Sequence, residues 1–340
     1  MTTATTVFGH QDPWPAVLKS WPQVHNVILF VAFHLIYLII PAAIALLPLR
    51  LVLTGNTYLR ALGCVLPIAW ISTFGAERRL GRPWKSFATL PLWSVFFSWF
   101  PVTLEKPTKT SFDKQYIFGV HPHGALAFNR GALGFAYDVL WNAAFPGLDF
   151  RVLTAAAAFK VPLIREMWLW TFCCDAGKAT ARRVLGAGKS IIVYPGGERE
   201  QLLTKRGEHI LYLTKRKGFV KLALQTGVPL VPMYAFGETD LYTHHGLFLG
   251  LRQWLVQAFG VAVPLISGSC GLLPYKTPVA IVVGDPIPMP RPCGGGGGEG
   301  KEPTQADIDD YHAAYVKALT DLFETNKEAK GYKDAALVIV

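Results

Sequence analysis

Two histidines stand together in the segment His121-Pro122-His123-Gly124, directly after the apolar run 115–120. The run is typical of a buried strand, and the glycine predicts that the backbone turns as the strand ends. Imidazole titrates near neutrality, so a histidine at this place can take a proton from an alcohol at physiological pH. The segment therefore predicts a general base, with a purely structural histidine as the alternative.

A second glycine turn follows another strand-like run, at 190–193, and brings carboxylates with it. Its sequence is Tyr194-Pro195-Gly196-Gly197-Glu198-Arg199-Glu200. A histidine at one strand end and a glutamate at another are the types of residue that form a base and the group that orients it. We therefore expect the two turns to meet in one site.

The elements that would position these turns alternate along the chain. Short apolar runs, most of them bounded by Gly or Pro, predict strands at 115–120, 150–154, 190–194, 230–236 and 279–283. Helix-like segments lie between them, at 126–141, 156–172, 178–186 and 214–225. Such alternation predicts an α/β fold with a mostly parallel sheet flanked by helices. Ligand sites in these folds lie beyond the carboxyl ends of the strands, where both turns are expected.

The N-terminal third is the most apolar part of the chain. Apolar stretches occupy 27–49 and 61–74, and an aromatic-rich stretch at 87–100 is typical of a membrane interface. Two apolar legs joined around 50–60 predict a membrane hairpin, either spanning or re-entrant. Basic residues at 78–85 follow the second leg and place that side in the cytosol. Residues 1–21 lack a basic n-region, so no cleaved secretory signal is expected.

Composition narrows the class of partner. The 340 residues are 51% hydrophobic with a net charge of +10, and the mean hydropathy is +0.30. No nucleic-acid motif accompanies the charge, so a membrane surface or an anionic co-substrate is the expected partner. The five cysteines form no CxxC pair and no metal-ligand spacing, and His121 with His123 does not complete a metal site. We therefore expect no metal.

The chain divides into four predicted regions. Residues 1–105 form a membrane-embedded or interfacial region, and residues 106–290 form the α/β domain. A Gly-rich linker at 291–303 contains the run 294–298, and residues 304–340 form an amphipathic helix and tail that pack on the α/β domain.

Several collinear blocks carry a resemblance to a known family. They are Tyr116-Ile117-Phe118-Gly119-Val120-His121-Pro122-His123-Gly124, then 161–166, 216–223, 230–238 and 283–287. Together they resemble the diacylglycerol acyltransferase 2 family, which includes monoacylglycerol and wax-alcohol acyltransferases, over about residues 110–327. The resemblance implies a glycerolipid-acyltransferase-like fold and transfer of an acyl group from acyl-CoA to a neutral lipid alcohol. It also implies the endoplasmic reticulum membrane or a lipid droplet as the location, with the catalytic domain facing the cytosol.

The resemblance assigns roles to the two turns. The family is distantly similar to glycerophospholipid acyltransferases, which pair a histidine with an aspartate five residues later. Leu126 and Phe128 occupy those positions here, so Glu200 is expected to orient the imidazole instead. Those enzymes also use a glutamate and an arginine to hold an acceptor phosphate. Gly196 replaces the glutamate and favours a neutral acceptor, whereas the retained Arg199 leaves a phosphorylated acceptor as the alternative.

We expect His123 to be the general base, with His121 as the alternative. Backbone N–H groups of Gly124, or of Gly196 and Gly197, are expected to stabilise the oxyanion.

Residues expected to bind the acceptor or acyl-CoA are Pro122, Pro195, Arg165, Glu166, Arg199, Arg216 and Lys217. The basic residues of 205–217 fit coenzyme A phosphates, anionic lipid or a solvated face. Acyl-CoA would be a co-substrate, with no permanently bound cofactor.

Diacylglycerol is the expected acceptor, which would make the product triacylglycerol. Monoacylglycerol and long-chain alcohols are alternatives, because the shape of the acceptor pocket cannot be read from the sequence. A non-catalytic membrane protein that binds lipid is a further alternative, although it has no need for a histidine turn opposite a glutamate turn. Expected partners are acyl-CoA, the lipid alcohol and membrane lipids, without nucleic acid. The oligomeric state stays open.

Overall fold

The computed structural model describes residues 3–8, 28, 31–32, 34–35, 39–97, 99–260, 262–269, 271–290 and 302–340. In chain order, its strands are β1 (Thr3–Phe8), β2 (Val102–Pro107), β3 (Ile117–His121), β4 (Phe150–Thr154), β5 (Cys173–Asp175), β6 (Ser190–Val193), β7 (His209–Leu211), β8 (Leu230–Phe236), β9 (Thr243–His244), β10 (Ile266–Ser267), β11 (Val279–Val283) and β12 (Leu337–Ile339).

The α-helices are α1 (Ile40–Thr54), α2 (Thr57–Ser72), α3 (Lys85–Ala88), α4 (Pro91–Phe97), α5 (Phe128–Phe135), α6 (Ile164–Trp170), α7 (Lys178–Gly186), α8 (Gly197–Leu203), α9 (Gly218–Thr226), α10 (Leu249–Phe259) and α11 (Gln305–Asn326). A π-helix at Tyr137–Asn142 and short 3₁₀ turns at Ala156–Lys160 and Glu238–Leu241 complete the helical segments described.

Eight strands form the central sheet, in the order β1-β2-β11-β8-β3-β6-β4-β5. Five of its seven neighbouring pairs are parallel, whereas β1 with β2 and β11 with β8 are antiparallel. Side chains alternate between two buried clusters: Ile117 belongs to one and Phe118 to the other. The mostly parallel α/β fold predicted from the alternating runs is confirmed, and the five predicted strands are present with small shifts at their ends.

Two helix predictions need correction. The segment 126–141 is not one helix, because the chain takes the left-handed conformation at Ala127, begins α5 only at Phe128 and passes into the π-helix at Tyr137. The segment 156–172 divides into a 3₁₀ turn and α6, with Leu163 at φ 66° between them. At the first interruption, a contact from another element overrides local helix preference, because the Glu238 carboxylate accepts the N–H groups of Phe128 and Asn129.

The apolar N-terminal region contains α1 and α2, which are joined by Gly55 and Asn56 and pack against each other. The predicted leg 27–49 is described from 39 onward, and most of its part at 27–38 lies outside the described residues. Among the helices that the structure describes, none combines the length and apolarity needed to cross a bilayer. The predicted membrane hairpin is therefore not confirmed, and its insertion stays a prediction.

The aromatic stretch 87–100 was expected at a membrane interface, and this expectation is wrong. Phe97 and Phe100 are 1% and 0% exposed, and Trp93 lies 4.2 Å from Phe135 between ring centroids. These side chains fill the core beside α5 because ring–ring packing there buries large apolar surfaces. Residue 105, the expected end of the membrane region, falls inside β2 of the sheet.

The C-terminal helix predicted at 304–327 is present as α11. Thr304 begins it with a capping box, in which its hydroxyl accepts the Asp307 N–H at 3.1 Å. The helix packs on β8, and β12 then pairs with β7 in the parallel direction. Residues 291–301 of the predicted Gly-rich linker lie outside the described residues.

Candidate active site

A cavity of about 600 Å³ opens at the carboxyl ends of the neighbouring strands β3, β6, β4 and β5. The histidine turn follows β3, and the glycine turn with Tyr194 and Pro195 follows β6. Thr154 and Ala155 come from the end of β4. Apolar side chains form much of the wall: Leu126, Ala127, Phe128, Leu153, Ala155, Ala157, Ala158, Trp168, Ala176 and Ala262. The predicted meeting of the two turns therefore occurs at the expected edge of the sheet.

His123 lies on the wall of this cavity. Its Nδ1 lies 3.0 Å from the carbonyl oxygen of Gly124. Because a carbonyl oxygen only accepts, Nδ1 carries the hydrogen and Nε2 keeps its lone pair. The pKa of His123 is lowered to about 4, chiefly by burial; the Gly124 hydrogen bond opposes this shift, and the nearby charge of Arg130 contributes to it. At neutral pH the ring is thus uncharged, with Nε2 able to take a proton.

His121 faces away from the cavity and is fully buried. Its Nε2 lies 3.1 Å from the hydroxyl of Tyr315 on α11, and that hydroxyl donates to the Gly119 carbonyl at 3.1 Å. The hydroxyl hydrogen is thereby used, so His121 donates Nε2–H to Tyr315. Burial lowers the pKa of His121 to about 3. Among the described residues, the neutral ring is thus covered by α11 and does not line the cavity.

Glu200 contacts the histidine turn through the backbone and not through an imidazole. Its Oε1 accepts the backbone N–H of His123 at 2.5 Å, and its Oε2 accepts that of Tyr212 at 3.0 Å. Burial raises the pKa of Glu200 to about 7, against the opposing effect of these two hydrogen bonds. The expected orientation of the ring by Glu200 is therefore replaced by support of the loop, and the Gly124 carbonyl contacts the ring instead.

Gly196 and Gly124 make room for carboxylates on either side of the loop. A Cβ at Gly196 would overlap Oε2 of Glu200. Gly124 has φ +65°, and a Cβ there would lie 2.6 Å from Cγ of Glu238. These glycines are therefore required by close approach of the two glutamates.

The sequence reasoning missed Glu238 as a site residue. It follows the end of β8, and its two oxygens accept the backbone N–H groups of Phe128 and Asn129 at 2.8 and 2.9 Å. Burial raises its pKa to about 7. An acidic residue two positions after the strand-like run 230–236 was the available signal. Glu200 and Glu238 thus hold the histidine turn and the start of α5 from two sides.

Tyr194 and Asn129 were also missed, and they form a polar pair beside His123. The Tyr194 hydroxyl donates to Oδ1 of Asn129 at 2.5 Å, and its ring meets the His123 ring edge-on at 5.6 Å between centroids. Tyr194 lines the cavity. Its position before the glycine turn was the signal for this residue.

The glycine turn offers fewer oxyanion donors than expected. The Gly197 N–H already donates to the Tyr194 carbonyl at 3.1 Å. The N–H groups of His123, Phe128 and Asn129 donate to the two glutamates. Much of the backbone donor capacity around the cavity is therefore committed to holding the loops in place.

The predicted binding residues are divided between the cavity and other places. Pro195 and the exposed Arg216 line the cavity, whereas Pro122 is buried between the two histidines. Arg199 is exposed and its guanidinium lies 5.5 Å from the Tyr212 ring centre. Lys217 pairs with Asp309 of α11 at 2.7 Å. Only part of the expected binding set therefore faces the cavity.

Arg165 and Glu166 also lie outside the cavity lining and connect α6 to the end of α2. Arg165 is 1% exposed and contacts Glu77 at 3.1 Å, Glu166 at 2.7 Å and the Thr73 carbonyl at 2.8 Å. Trp70 of α2 donates to Glu166 at 3.2 Å. Arg165 and Glu166 therefore form an ion pair that links α6 to the end of α2. In the described residues, no three His, Cys, Asp or Glu side chains gather as metal ligands.

Comparisons with known proteins point to one family. A family model described as diacylglycerol acyltransferase matches residues 51–340. Acyl-CoA wax alcohol acyltransferase 2 of Homo sapiens is 34% identical over 287 residues, covering 79% of this chain and 83% of that protein. Diacylglycerol O-acyltransferase 2 of Bos taurus is 32% identical over 292 residues, covering 81% and 79%.

A solved structure also aligns with this chain. It is the 1-acyl-sn-glycerophosphate acyltransferase PlsC from Thermotoga maritima, at 15% sequence identity and a TM-score of 0.44. The alignment covers 89% of this chain and 97% of that chain.

Proposed function

The chain belongs to the diacylglycerol acyltransferase family and is an acyltransferase, and on this premise we propose that it esterifies diacylglycerol with the acyl group of acyl-CoA. The observation that carries the proposal is the unprotonated Nε2 of His123 on the wall of an apolar cavity of about 600 Å³. A cavity of this size and lining suits part of a lipid substrate.

The proposed reaction uses His123 as general base. Nε2 takes the proton of the acceptor hydroxyl while its oxygen forms a bond to the thioester carbonyl carbon, and the carbonyl oxygen becomes an oxyanion. As the oxyanion collapses, the carbon–sulfur bond breaks and the coenzyme A thiolate takes the proton from the imidazolium. Burial disfavours the imidazolium, which favours this second transfer because a thiolate is the stronger base. The products are an ester and free coenzyme A.

We propose that Glu200 acts as a positioning residue and that Arg216 contacts the phosphates of acyl-CoA. Glu200 holds the backbone on which the His123 ring is mounted. Arg216 is exposed and lines the cavity, where a long, charged co-substrate would enter. No permanent cofactor takes part in this scheme.

We propose that the apolar N-terminal helices attach the enzyme to the endoplasmic reticulum membrane or a lipid droplet, with the catalytic domain on the cytosolic side. Support comes from large apolar side chains exposed along α1 and α2, among them Leu53 at 67% and Ile68 at 67%. Exposed Leu251 and Trp254 on α10 add apolar surface near the cavity, because α10 packs on α8. Membrane lipids would then be partners and would deliver the acceptor.

A long-chain alcohol is the second candidate acceptor, since the human relative named for wax alcohol is as similar to this chain as the bovine diacylglycerol relative. Monoacylglycerol is a further alternative. One competition assay with labelled acyl-CoA and equal amounts of diacylglycerol, monoacylglycerol, fatty alcohol and lysophosphatidate would identify the preferred acceptor. A dominant product other than triacylglycerol would overturn the diacylglycerol assignment.

The general base is tested with His123→Gln in the full chain, assayed with acyl-CoA and diacylglycerol. We expect turnover to fall by ~10²–10⁴-fold. The matched control is His245→Gln, because His245 is exposed and contacts Ser267 away from the cavity lining. Unchanged turnover in folded His123→Gln would exclude His123 as the base, and absence of ester from the wild-type enzyme with every acceptor would favour a lipid-binding protein.

A further inference from the structure

Arg130 is a cation that lines the candidate cavity and that the sequence reasoning did not single out. It lies in the first turn of α5, which begins seven residues after His121, and its guanidinium carbon lies 4.1 Å from the centre of the Trp168 ring. Its Nε is buried and has no hydrogen-bond partner among the described residues. Within that part of the chain, no carboxylate forms an ion pair with it. A buried N–H of a charged group without an acceptor calls for an explanation.

The neighbouring acid is already engaged. Glu238 is close enough to feel the charge of Arg130, but both of its oxygens accept backbone N–H groups at the start of α5. Arg130 is also close enough to His123 and to Tyr194 for its charge to favour their less protonated forms. The guanidinium therefore lies near the proposed base with hydrogen-bonding capacity to spare.

The reaction needs a positive charge or hydrogen-bond donors near the carbonyl oxygen of the thioester. When the acceptor oxygen attacks the thioester, negative charge develops on the former carbonyl oxygen, and donors aimed at that oxygen lower the barrier. The backbone N–H groups of His123, Phe128, Asn129 and Gly197 are engaged elsewhere. A fixed guanidinium on the cavity wall meets the need, and stacking on Trp168 restricts its movement.

We propose that Arg130 is a catalytic residue that stabilises the oxyanion formed on the acyl-CoA thioester during transfer. The inference rests on the proposed acyltransfer function and names the positively charged group that stabilises the oxyanion. The guanidinium neither gives nor takes a proton. It pairs with the oxyanion while His123 Nε2 holds the acceptor proton, and the pairing ends when the carbonyl reforms and the thiolate leaves.

Two other roles make different predictions. A purely structural Arg130 would act by stacking on Trp168, so its loss would lower stability without a specific effect on turnover. A site for an anionic acceptor would use Arg130 to bind a phosphate, so its loss would raise KM for that acceptor. Arg216 is the better candidate for coenzyme A phosphates, because it is exposed whereas Arg130 is partly buried.

The experiment compares Arg130→Gln and Arg130→Lys in the full chain, with Arg216→Gln as the control for co-substrate binding. We expect Arg130→Gln to lower kcat by ~10²–10³-fold with little change in either KM, and Arg130→Lys to recover part of this loss. Arg216→Gln should mainly raise KM for acyl-CoA. Thermal unfolding of each variant in detergent identifies any that has not folded.

A second readout is the pH dependence of kcat/KM. The titratable or charged groups that line the cavity with His123 or support its turn are Arg130, Tyr194, Glu198, Glu200, Arg216 and Glu238. Removing the positive charge of Arg130 should raise the pKa of His123 and shift the acid limb of the profile to higher pH. Arg216→Gln is expected to leave the acid limb nearly unchanged.

The inference is overturned if folded Arg130→Gln turns over diacylglycerol as the wild type does, or if its only effect is a raised KM for lysophosphatidate. Failure of the proposed function would give different results: the wild-type enzyme would form no ester, or folded His123→Gln would keep full turnover. An active wild type, an inactive His123→Gln and a fully active Arg130→Gln would leave the general base standing and remove the oxyanion role.

Discussion

His121 and His123 are separated by one proline, yet their surroundings differ because the strand ends between them. Alternation along β3 directs His121 to the face covered by α11, where Tyr315 closes over it. His123 lies beyond the strand, where the chain has turned toward the cavity. The residue type alone does not show which histidine can act as a base. The hydrogen-bond partners do, because the Gly124 carbonyl holds the hydrogen of His123 on Nδ1, whereas the Tyr315 hydroxyl holds that of His121 on Nε2.

The role of Glu200 can be tested with Glu200→Gln. The amide keeps the shape but loses the charge and presents an N–H₂ group to a backbone N–H, so we expect a loss of about 1–3 kcal/mol in the free energy of unfolding. Because Glu200 does not contact the ring, kcat should fall by less than about tenfold. A loss of ~10⁴-fold, as expected when the carboxylate that orients a catalytic histidine is removed, would contradict the structure and restore the ring-orienting role.

Because His121 is buried, we expect the free energy of unfolding to depend on pH. Burial lowers the pKa of His121 to about 3 from an unfolded value near 6.5, so the unfolded chain binds more protons between these values. His121 therefore makes stability rise with pH across that window, by up to ~1.4 kcal/mol per pH unit. The raised pKa values of Glu200 and Glu238 act in the opposite direction between about pH 4.5 and 7.

We therefore expect His121→Asn to be destabilised more, relative to the wild type, at pH 7 than at pH 5. The asparagine amide does not titrate. The variant therefore lacks the loss of stability that the buried ring causes in the wild type as the pH falls, and the gap between the two proteins narrows at pH 5. The measurement is the difference in Tm between variant and wild type at the two pH values, in one detergent and at one salt concentration. A deficit that is independent of pH would show that His121 is not held unprotonated by burial.

At the scale of elements, Arg165 connects the apolar helices to the α/β domain. Its guanidinium contacts Glu77 and Glu166 and the end of α2 at Thr73. Desolvated ions are costly to leave without a partner, so Arg165→Met should destabilise the fold by about 3–5 kcal/mol. Arg165→Lys keeps the charge but loses the fork-shaped set of donors, and we expect an intermediate loss.

Denaturant unfolding of these variants, together with KM for acyl-CoA, separates a structural Arg165 from a substrate-binding one. We expect lower midpoints and an unchanged KM in the Arg165→Lys enzyme that remains folded. A normal midpoint with a raised KM would return Arg165 to the substrate-binding set predicted from the sequence.

The elements also show why strands were predicted better than helices. The runs at 150–154, 230–236 and 279–283 match their strands because a strand buried on both faces requires a short apolar run and turn residues at its ends. The start of α5 depends on Glu238, a carboxylate 110 residues further along the chain. No local pattern around Phe128 contains that contact, so the segment was predicted as one continuous helix.

At the scale of the whole molecule, the site could be predicted as a place but not as a set of contacts. Two turns after parallel strands must meet at one edge, which follows from topology alone. Which atom of Glu200 meets which atom of His123 depends on residues 77 positions apart, whose contact joins a side chain to a backbone N–H, and on the room left by Gly196. The aromatic stretch 87–100 was misplaced for a related reason, because core and membrane interface require the same residue types.

The charge of the whole molecule is +10, and part of it lies where the apolar helices end. Arg79 and Arg82 line a cavity of about 320 Å³ with Thr73 and Phe74, directly after α2, and both arginines are exposed. If the apolar helices enter a bilayer, these arginines lie at the depth of lipid headgroups. Each basic residue near an anionic surface contributes about 1 kcal/mol, whereas attraction to neutral lipid depends on apolar surface.

We therefore expect the double variant Arg79→Gln, Arg82→Gln to bind phosphatidylserine-containing vesicles roughly 30-fold more weakly than the wild type, with little change on neutral vesicles. The control removes the same charge elsewhere, with Lys317→Gln and Lys333→Gln, whose side chains are 76% and 72% exposed. Flotation with vesicles at two salt concentrations measures the effect, and the wild-type preference for anionic vesicles should weaken as salt rises. Equal losses in the two double variants would mean that net charge, and not the position of the arginines beside α2, governs attachment.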